Sequence, residues 1–166
     1  PDWVIEFTLP SRYCESDTLG SWAMEITSGL MPGYPQVDAI RVWIHDHLRY
    51  EYGTSAPTTS ARETLASGAG VCRDFAHVVV ALLRALGTPA RLVSVYAPGL
   101  QPMDFHAVAE VWVEGAWHIV DATSMAPREA MVRIATGRDA ADTAFLTTRG
   151  GRMTFNRQEV TAVLAE

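Results

Sequence analysis

Three residues have the types that nucleophilic acyl chemistry requires. Cys72 follows Gly68-Ala69-Gly70-Val71 and opens an apolar segment that runs to Leu86. A thiol at a helix start meets unpaired backbone N–H groups and the positive end of the helix dipole, and both favour the thiolate, which is the nucleophile. Gly68 and Gly70 let backbone approach a substrate closely and offer N–H groups as oxyanion donors. The competing role for Cys72 is that of a buried structural thiol behaving as a small hydrophobe. A nucleophilic Cys needs an imidazole to take its proton, and the imidazole needs an orienting acceptor on its other nitrogen. His106 and Asp121 supply those two types. Their competing roles are a strand-capping histidine and a turn carboxylate bonded to Thr123.

Whether His106 and Asp121 meet depends on a hairpin. His106–Glu114 and Ala116–Ala122 alternate as strands around Gly115. A turn at Glu114-Gly115 pairs Trp112 with Trp117 and Val108 with Asp121. His106 then shares a face with Asp121, one diagonal step of roughly 7–8 Å away. A turn at Gly115-Ala116 keeps the face but sets Glu110 opposite Asp121. A three-residue loop separates the two faces unless a bulge corrects it. Glu110 faces the same side as His106 and is the alternative orienting carboxylate.

Other elements must hold these residues. Val37, Ile40, Ile44 and Leu48 recur at helical spacing, which predicts a helix over about 36–48. Tyr50-Glu51-Tyr52 is a short extended piece. Ser60 with Glu63 makes a capping box for a short helix that Gly68 ends. From Cys72, Phe75, Val78, Val79, Leu82, Leu83 and Leu86 cover most of a helix surface, leaving Arg73, His77 and Arg84 as a narrow polar stripe; such a helix belongs at the centre of the domain. Gly87 and Pro89 stop it. Arg91–Tyr96 is a strand. Weaker strand candidates are Met131–Thr136, Ala144–Thr148, Met153–Phe155 and, from their alternation, Trp3, Ile5, Phe7 and Leu9. The first 35 residues are otherwise irregular, and Arg157–Leu164 is ambiguous. Helices first and strands afterwards predict an α+β fold, a central buried helix packed on an antiparallel sheet.

At this point the residues resemble a known family. Gly70-Val71-Cys72-Arg73-Asp74-Phe75-Ala76-His77, then Arg84-Ala85-Leu86-Gly87 and Pro89-Ala90-Arg91, resemble the core of the transglutaminase-like superfamily. Asp104-Phe105-His106-Ala107 and Trp117-His118-Ile119-Val120-Asp121-Ala122-Thr123 are similar to its His and Asp blocks, in the same order. Pro10-Ser11-Arg12-Tyr13-Cys14 and Ile134-Ala135-Thr136-Gly137-Arg138-Asp139 resemble the bacterial branch. Ala122 stands where the family usually has Pro. The resemblance implies a papain-like, transglutaminase-like fold and acyl transfer on amide or peptide bonds. Cys72 would attack, His106 would shuttle the proton and Asp121 would orient His106. Water as acceptor makes a cysteine protease or amidase, the favoured outcome; an amine makes a transglutaminase. The alternative is a catalytically silent protein-interaction module that keeps the fold. In bacterial relatives an N-terminal β-domain often precedes this core, so residues 1–166, starting at Pro1, are expected to be one catalytic core from a longer chain.

Composition bounds the rest. Hydrophobic residues make up 48% and charged residues 19% of the 166, enough for a core and too apolar for disorder. The net charge of −6 and the lack of basic clusters exclude nucleic acid as an expected partner, and the resemblance implies a protein or peptide substrate. All 13 basic residues are Arg, which removes Lys Schiff-base chemistry. The longest apolar run, Val78–Leu83, is far short of the ~20 residues of a membrane span. No signal peptide opens the chain, which points to the cytoplasm. No cofactor or metal is expected. His45 and His47 do not share a helix face, and His77 does not fit zinc-ligand spacing. Cys14 and Cys72 are too few for a disulfide scaffold, although one bridge is feasible. Arg73 and Asp74 are adjacent on a helix and should point apart. Trp43, Tyr50 and Tyr52 are candidates for a substrate groove or for core.

Overall fold

A computed structural model describes residues 1–164. Four α-helices, α1 (Gly20–Ile26), α2 (Tyr34–His47), α3 (Ala61–Ser67) and α4 (Cys72–Ala85), precede the main sheet. Short strands β1 (Arg49–Tyr50) and β2 (Ala69–Gly70) pair in parallel. Strands β3 (Ala90–Tyr96), β4 (Phe105–Val113), β5 (Ala116–Val120) and β6 (Val132–Gly137) form an antiparallel sheet in the order β5-β4-β3-β6. The fold is α+β, as the sequence pattern predicts.

The central helix is α4. Residues Asp74–Arg84 are buried without interruption, because α1, α2 and α3 surround it on one side and β3 and β4 cover the other. Ile40, Ile44, Val79, Leu82, Leu83, Ala109 and Val111 meet in one core cluster. The polar stripe does not face water. His77 stacks on Tyr13 at 5.3 Å, and its Nε2 accepts the Ala140 N–H at 3.1 Å. Arg84 donates to the carbonyls of Ala90, Leu9 and Arg138 at 2.7–3.0 Å. The stripe is thus a seam that ties the N-terminal segment and the chain after β6 to the helix.

Two regions differ from expectation. Asp2–Thr8 is a 3-10 helix, not a strand. Its apolar contacts come from Trp3 on Trp112 (4.9 Å) and Phe7 on Trp117 (5.4 Å), four residues apart, while Ile5 and Leu9 face solvent. Val4, which breaks the alternation between Trp3 and Ile5, is the residue this helix buries. Residues 144–148 and 153–155 form no strand and run as irregular chain, as does 157–164. The seven-residue α1 is too short for a periodic signal and falls in the stretch expected to be irregular.

Candidate active site

Cys72 is the first residue of α4, and the local sequence explains its presentation. Thr64 and Asp74 crowd Gly70: a Cβ there would stand 2.8 Å from Asp74 Cβ, so only glycine lets β2 run so close to the helix. Asp74 is fully buried, and its Oδ2 accepts the Val71 N–H at 2.9 Å, closing the helix start. Arg73 and Asp74 do not point apart. The long Arg73 side chain folds back onto Asp74 Oδ1 at 3.0 Å and also binds Ser55 Oγ and Ala56 O, which fastens the 51–59 loop beside Cys72. Both cysteines are free thiols.

The hairpin turns at Glu114-Gly115. Both residues have positive φ, 52° and 84°, the backbone of a tight two-residue turn that glycine favours at its second position. Trp112 pairs with Trp117 and Ala109 with Val120, so the next step sets Val108 against Asp121. His106 Nε2 lies 3.1 Å from Asp121 Oδ2, both side chains almost wholly buried. Thr123 completes the arrangement: its N–H and hydroxyl both donate to Asp121 Oδ1, at 2.9 and 2.7 Å. Asp121 is thus both the turn carboxylate and the partner of His106.

Glu110 is not a partner of His106. It is fully buried between Arg91, at 2.7 Å, and Arg133, at 2.5 Å, and both its oxygens are occupied. The fallback carboxylate is instead the centre of a separate ion-pair network.

Burial opposes charge on His106, but the hydrogen bond to Asp121, with the pull of the Cys72 thiol and of the carboxylate, outweighs it and raises the imidazole to about 9. Burial likewise opposes charge on Asp121; His106 and Thr123 overcome it and hold the carboxyl below its ordinary value. Asp121 holds Nε2, which leaves Nδ1 as the ring nitrogen for the thiol. The structure therefore pairs His106 with Asp121 directly, and Cys72 is the next group to act on the same ring.

Tyr50 belongs to the same cluster. Its phenol is pushed up by burial first, then by the neighbouring Cys72 and Tyr52. The parallel β1–β2 pairing, Tyr50 with Gly70, places it there. The sequence marked Tyr50 only as a groove or core residue, because a two-residue strand leaves no periodicity. The expected glycine donors are partly spent: the Gly68 N–H goes to Thr64 O. His45 and His47 are directed apart, onto Ala122 O and Trp43 O. Trp43 packs on His47 at 4.4 Å and Trp22 at 5.4 Å, away from the thiol's partners. A cleft of about 650 Å³ lies between α2 and β5 and includes none of the three residues. No helix among the described residues is long and apolar enough to cross a membrane.

Known proteins share this arrangement of chain. A structure of a candidate cysteine protease from Cytophaga hutchinsonii is 46% identical, superposes with a TM-score of 0.85, and is matched over 87% of this chain and 50% of that one. The uncharacterised protein ML0607 of Mycobacterium leprae is 31% identical over 155 residues, covering 86% of this chain and 54% of its own length. The periplasmic domain of TgpA from Pseudomonas aeruginosa, at 23% identity and a TM-score of 0.60, shares the fold over 78% of this chain and 51% of that one. The chain spans about half the length of the curated relatives it matches. A family model, that of the transglutaminase-like superfamily, matches residues 20–122, which takes in Cys72, His106 and Asp121 alike. With more than half of its length matched, the chain belongs to the transglutaminase-like superfamily.

Proposed function

We propose that this protein catalyses thiol-dependent acyl transfer on amide or peptide bonds, with hydrolysis as the main outcome. The observation that carries the reading is the buried His106–Asp121 pair, at 3.1 Å, with the Cys72 thiol near enough to help raise the same imidazole. A structural cysteine has no need of an imidazole already oriented by a buried carboxylate. The likeness to a candidate cysteine protease supports hydrolysis over amine transfer.

In the proposed reaction the Cys72 proton passes to His106 Nδ1 and the sulfur attacks the substrate carbonyl carbon. The C=O electron pair moves to oxygen, where the Tyr50 hydroxyl beside Cys72 is the proposed donor. Such donors act on charge that develops only in the transition state. The oxyanion collapses, the C–N bond breaks, and His106 returns its proton to the leaving amine. Water then attacks the thioester, giving a proton to His106; the C–S bond breaks and the proton goes back to sulfur. Asp121 keeps the ring in place and stabilises the imidazolium at each stage.

The test is hydrolysis of a panel of peptide and glutamine-amide substrates, each with and without an added primary amine. Ammonia or peptide release that depends on Cys72, with little amine incorporation, is the expected result. A wild-type rate from Cys72→Ala would overturn the reading.

A further inference from the structure

Strand β5 is an edge of the main sheet, and its free side opens onto the cleft of about 650 Å³. Four consecutive residues of the strand end, Trp117 to Val120, line that cleft. Successive strand side chains point to opposite faces, so a cavity that touches all four meets the strand along its edge. The hydrogen-bond pattern agrees. In a hairpin closed by a two-residue turn, bonded and non-bonded pairs alternate from Val113–Ala116 onward. Trp112 sends its N–H the other way, to Pro89 O at 2.9 Å, so Trp112–Trp117 is a non-bonded pair. The N–H and C=O groups of Trp117 and Ile119 therefore point away from β4 and into the cleft. Among the described residues one side chain reaches this row. Arg128 Nη1 lies 3.4 Å from Ile119 O, a long contact.

The other edge of the sheet is protected. β6 changes register against β3 at Ser94–Val95, an irregularity that spoils an edge for further pairing. β5 pairs with β4 without a shift and contains no Pro, Arg, Asp or Glu. A regular open edge is a template for another extended chain. The charge of the cleft says which kind. Arg41, Arg128 and Arg133 line it, in a protein of net charge −6. Arg133 holds Glu110 through Nε, which leaves its two Nη groups without a partner among the described residues. Of the acids in the wall, Asp38 is already paired with Arg41, and Glu129 makes no ion pair among the described residues. The donors left over are guanidinium groups, whose planar fork suits carboxylates.

We infer that β5 takes up an extended acidic peptide segment as a fifth strand of the sheet. The backbone of that segment pairs with Trp117 and Ile119, and its carboxylates meet Arg128 and Arg133. Main-chain bonds supply affinity, and the arginines select acidic sequences. The cleft volume falls in the range of about 300–1,000 Å³ usual for ligand sites. The five residues of β5 offer an edge of about 17 Å. The inference stands apart from the acyl-transfer reading, because the cleft includes none of Cys72, His106 and Asp121.

The test is equilibrium binding, which needs no turnover. The Cys72→Ala chain, chosen so that hydrolysis of the probe plays no part, is titrated by fluorescence anisotropy with a short labelled peptide that alternates Glu and Val. The same peptide with Gln for every Glu, and the same peptide N-methylated at every amide, should each bind about tenfold weaker or more. Saturating acidic peptide should slow amide exchange at Trp117 and Ile119 by about tenfold or more and leave His118, already bonded to β4, unchanged. Arg128→Gln should weaken the acidic peptide about threefold, the size of one exposed ion pair. Arg152→Gln, an exposed residue outside the cleft, should leave it unchanged. Undiminished binding of the N-methylated peptide, or equal competition by free glutamate, overturns the added strand and leaves an anion site. No binding at millimolar peptide, or protection that misses Trp117 and Ile119, overturns it as well. Protection of those two amides in the chain alone, rising with its concentration, would make the occupant a second copy and overturn the acidic segment.

Discussion

His77, in the middle of α4, and His106, on β4, are both buried histidines, and their environments drive them in opposite directions. At His106 a carboxylate accepts from one ring nitrogen and a thiol meets the ring from elsewhere, so the imidazole rises to about 9 despite burial. At His77 burial dominates, Arg73 adds to it, and the imidazole falls to about 4. The contact on the His77 ring is a backbone N–H donated to Nε2, which only a neutral ring can accept. Burial is common to both. What separates a proton carrier from a packing residue is whether a carboxylate lies in direct contact, and the buried acids nearest His77 are turned elsewhere. Asp74 serves Val71 and Arg73, and Asp139 serves the Tyr13 and Ala141 N–H groups.

The contrast breaks most sharply under substitution. Cys72→Ala and His106→Ala should each lower turnover by about 10⁴-fold or more, and the double variant little further, because such groups act as a unit. Multiplicative losses would break the coupling. Asp121→Asn should be about a hundredfold milder, since an amide still orients the ring. His77→Gln should retain turnover where it folds, and a loss matching His106→Ala would erase the distinction between the two histidines.

Protons separate the pair next. Unfolded His77 binds a proton below about 6.5, whereas the folded chain resists until about 4. Stability should therefore fall as pH drops from 6.5 to 4 and level off below, by about 3 kcal/mol in total. His106 has the opposite sign: its folded value is raised, so its contribution is full below 6.5 and fades as pH rises through about 9. Urea midpoints across pH 3–10 measure both limbs, and His77→Gln should flatten only the acid one. Turnover should decline above about pH 9, where His106 no longer holds the proton for the leaving amine.

The smallest effect concerns the other thiol. Cys14 is fully buried, hydrogen-bonded to His77 O at 3.6 Å, and burial pushes its thiol up. Cys14→Ala should cost about 1 kcal/mol by urea unfolding and leave turnover unchanged.

Much of this contrast was legible before any coordinates. Long periodic segments such as α2 and α4 carry their own boundaries, while the hairpin sequence allowed three turns, and only the structure selects Glu114-Gly115, the one that brings His106 to Asp121. Local spacing says nothing about what a side chain meets across the fold. Glu110 stood as the fallback to Asp121 because both share a face with His106, and only the packing of β3 and β6 shows that Arg91 and Arg133 claim it. Tyr50 reaches Cys72 through a two-residue parallel pairing that no periodicity announces. The polar stripe on α4 was visible, but its burial under the chain around Tyr13 and Asp139 was not.

Alkylation tests the central claim most directly, that His106 and Asp121 serve the Cys72 thiol. Wild-type and His106→Ala proteins are exposed to iodoacetamide near pH 6, and labelling of each cysteine is followed by peptide mass mapping. The account predicts rapid labelling of Cys72, none of Cys14 in the folded chain, and a loss of about tenfold or more in the Cys72 rate without His106. Equal Cys72 rates in the two proteins, or an inert Cys72 in the wild type, would contradict it.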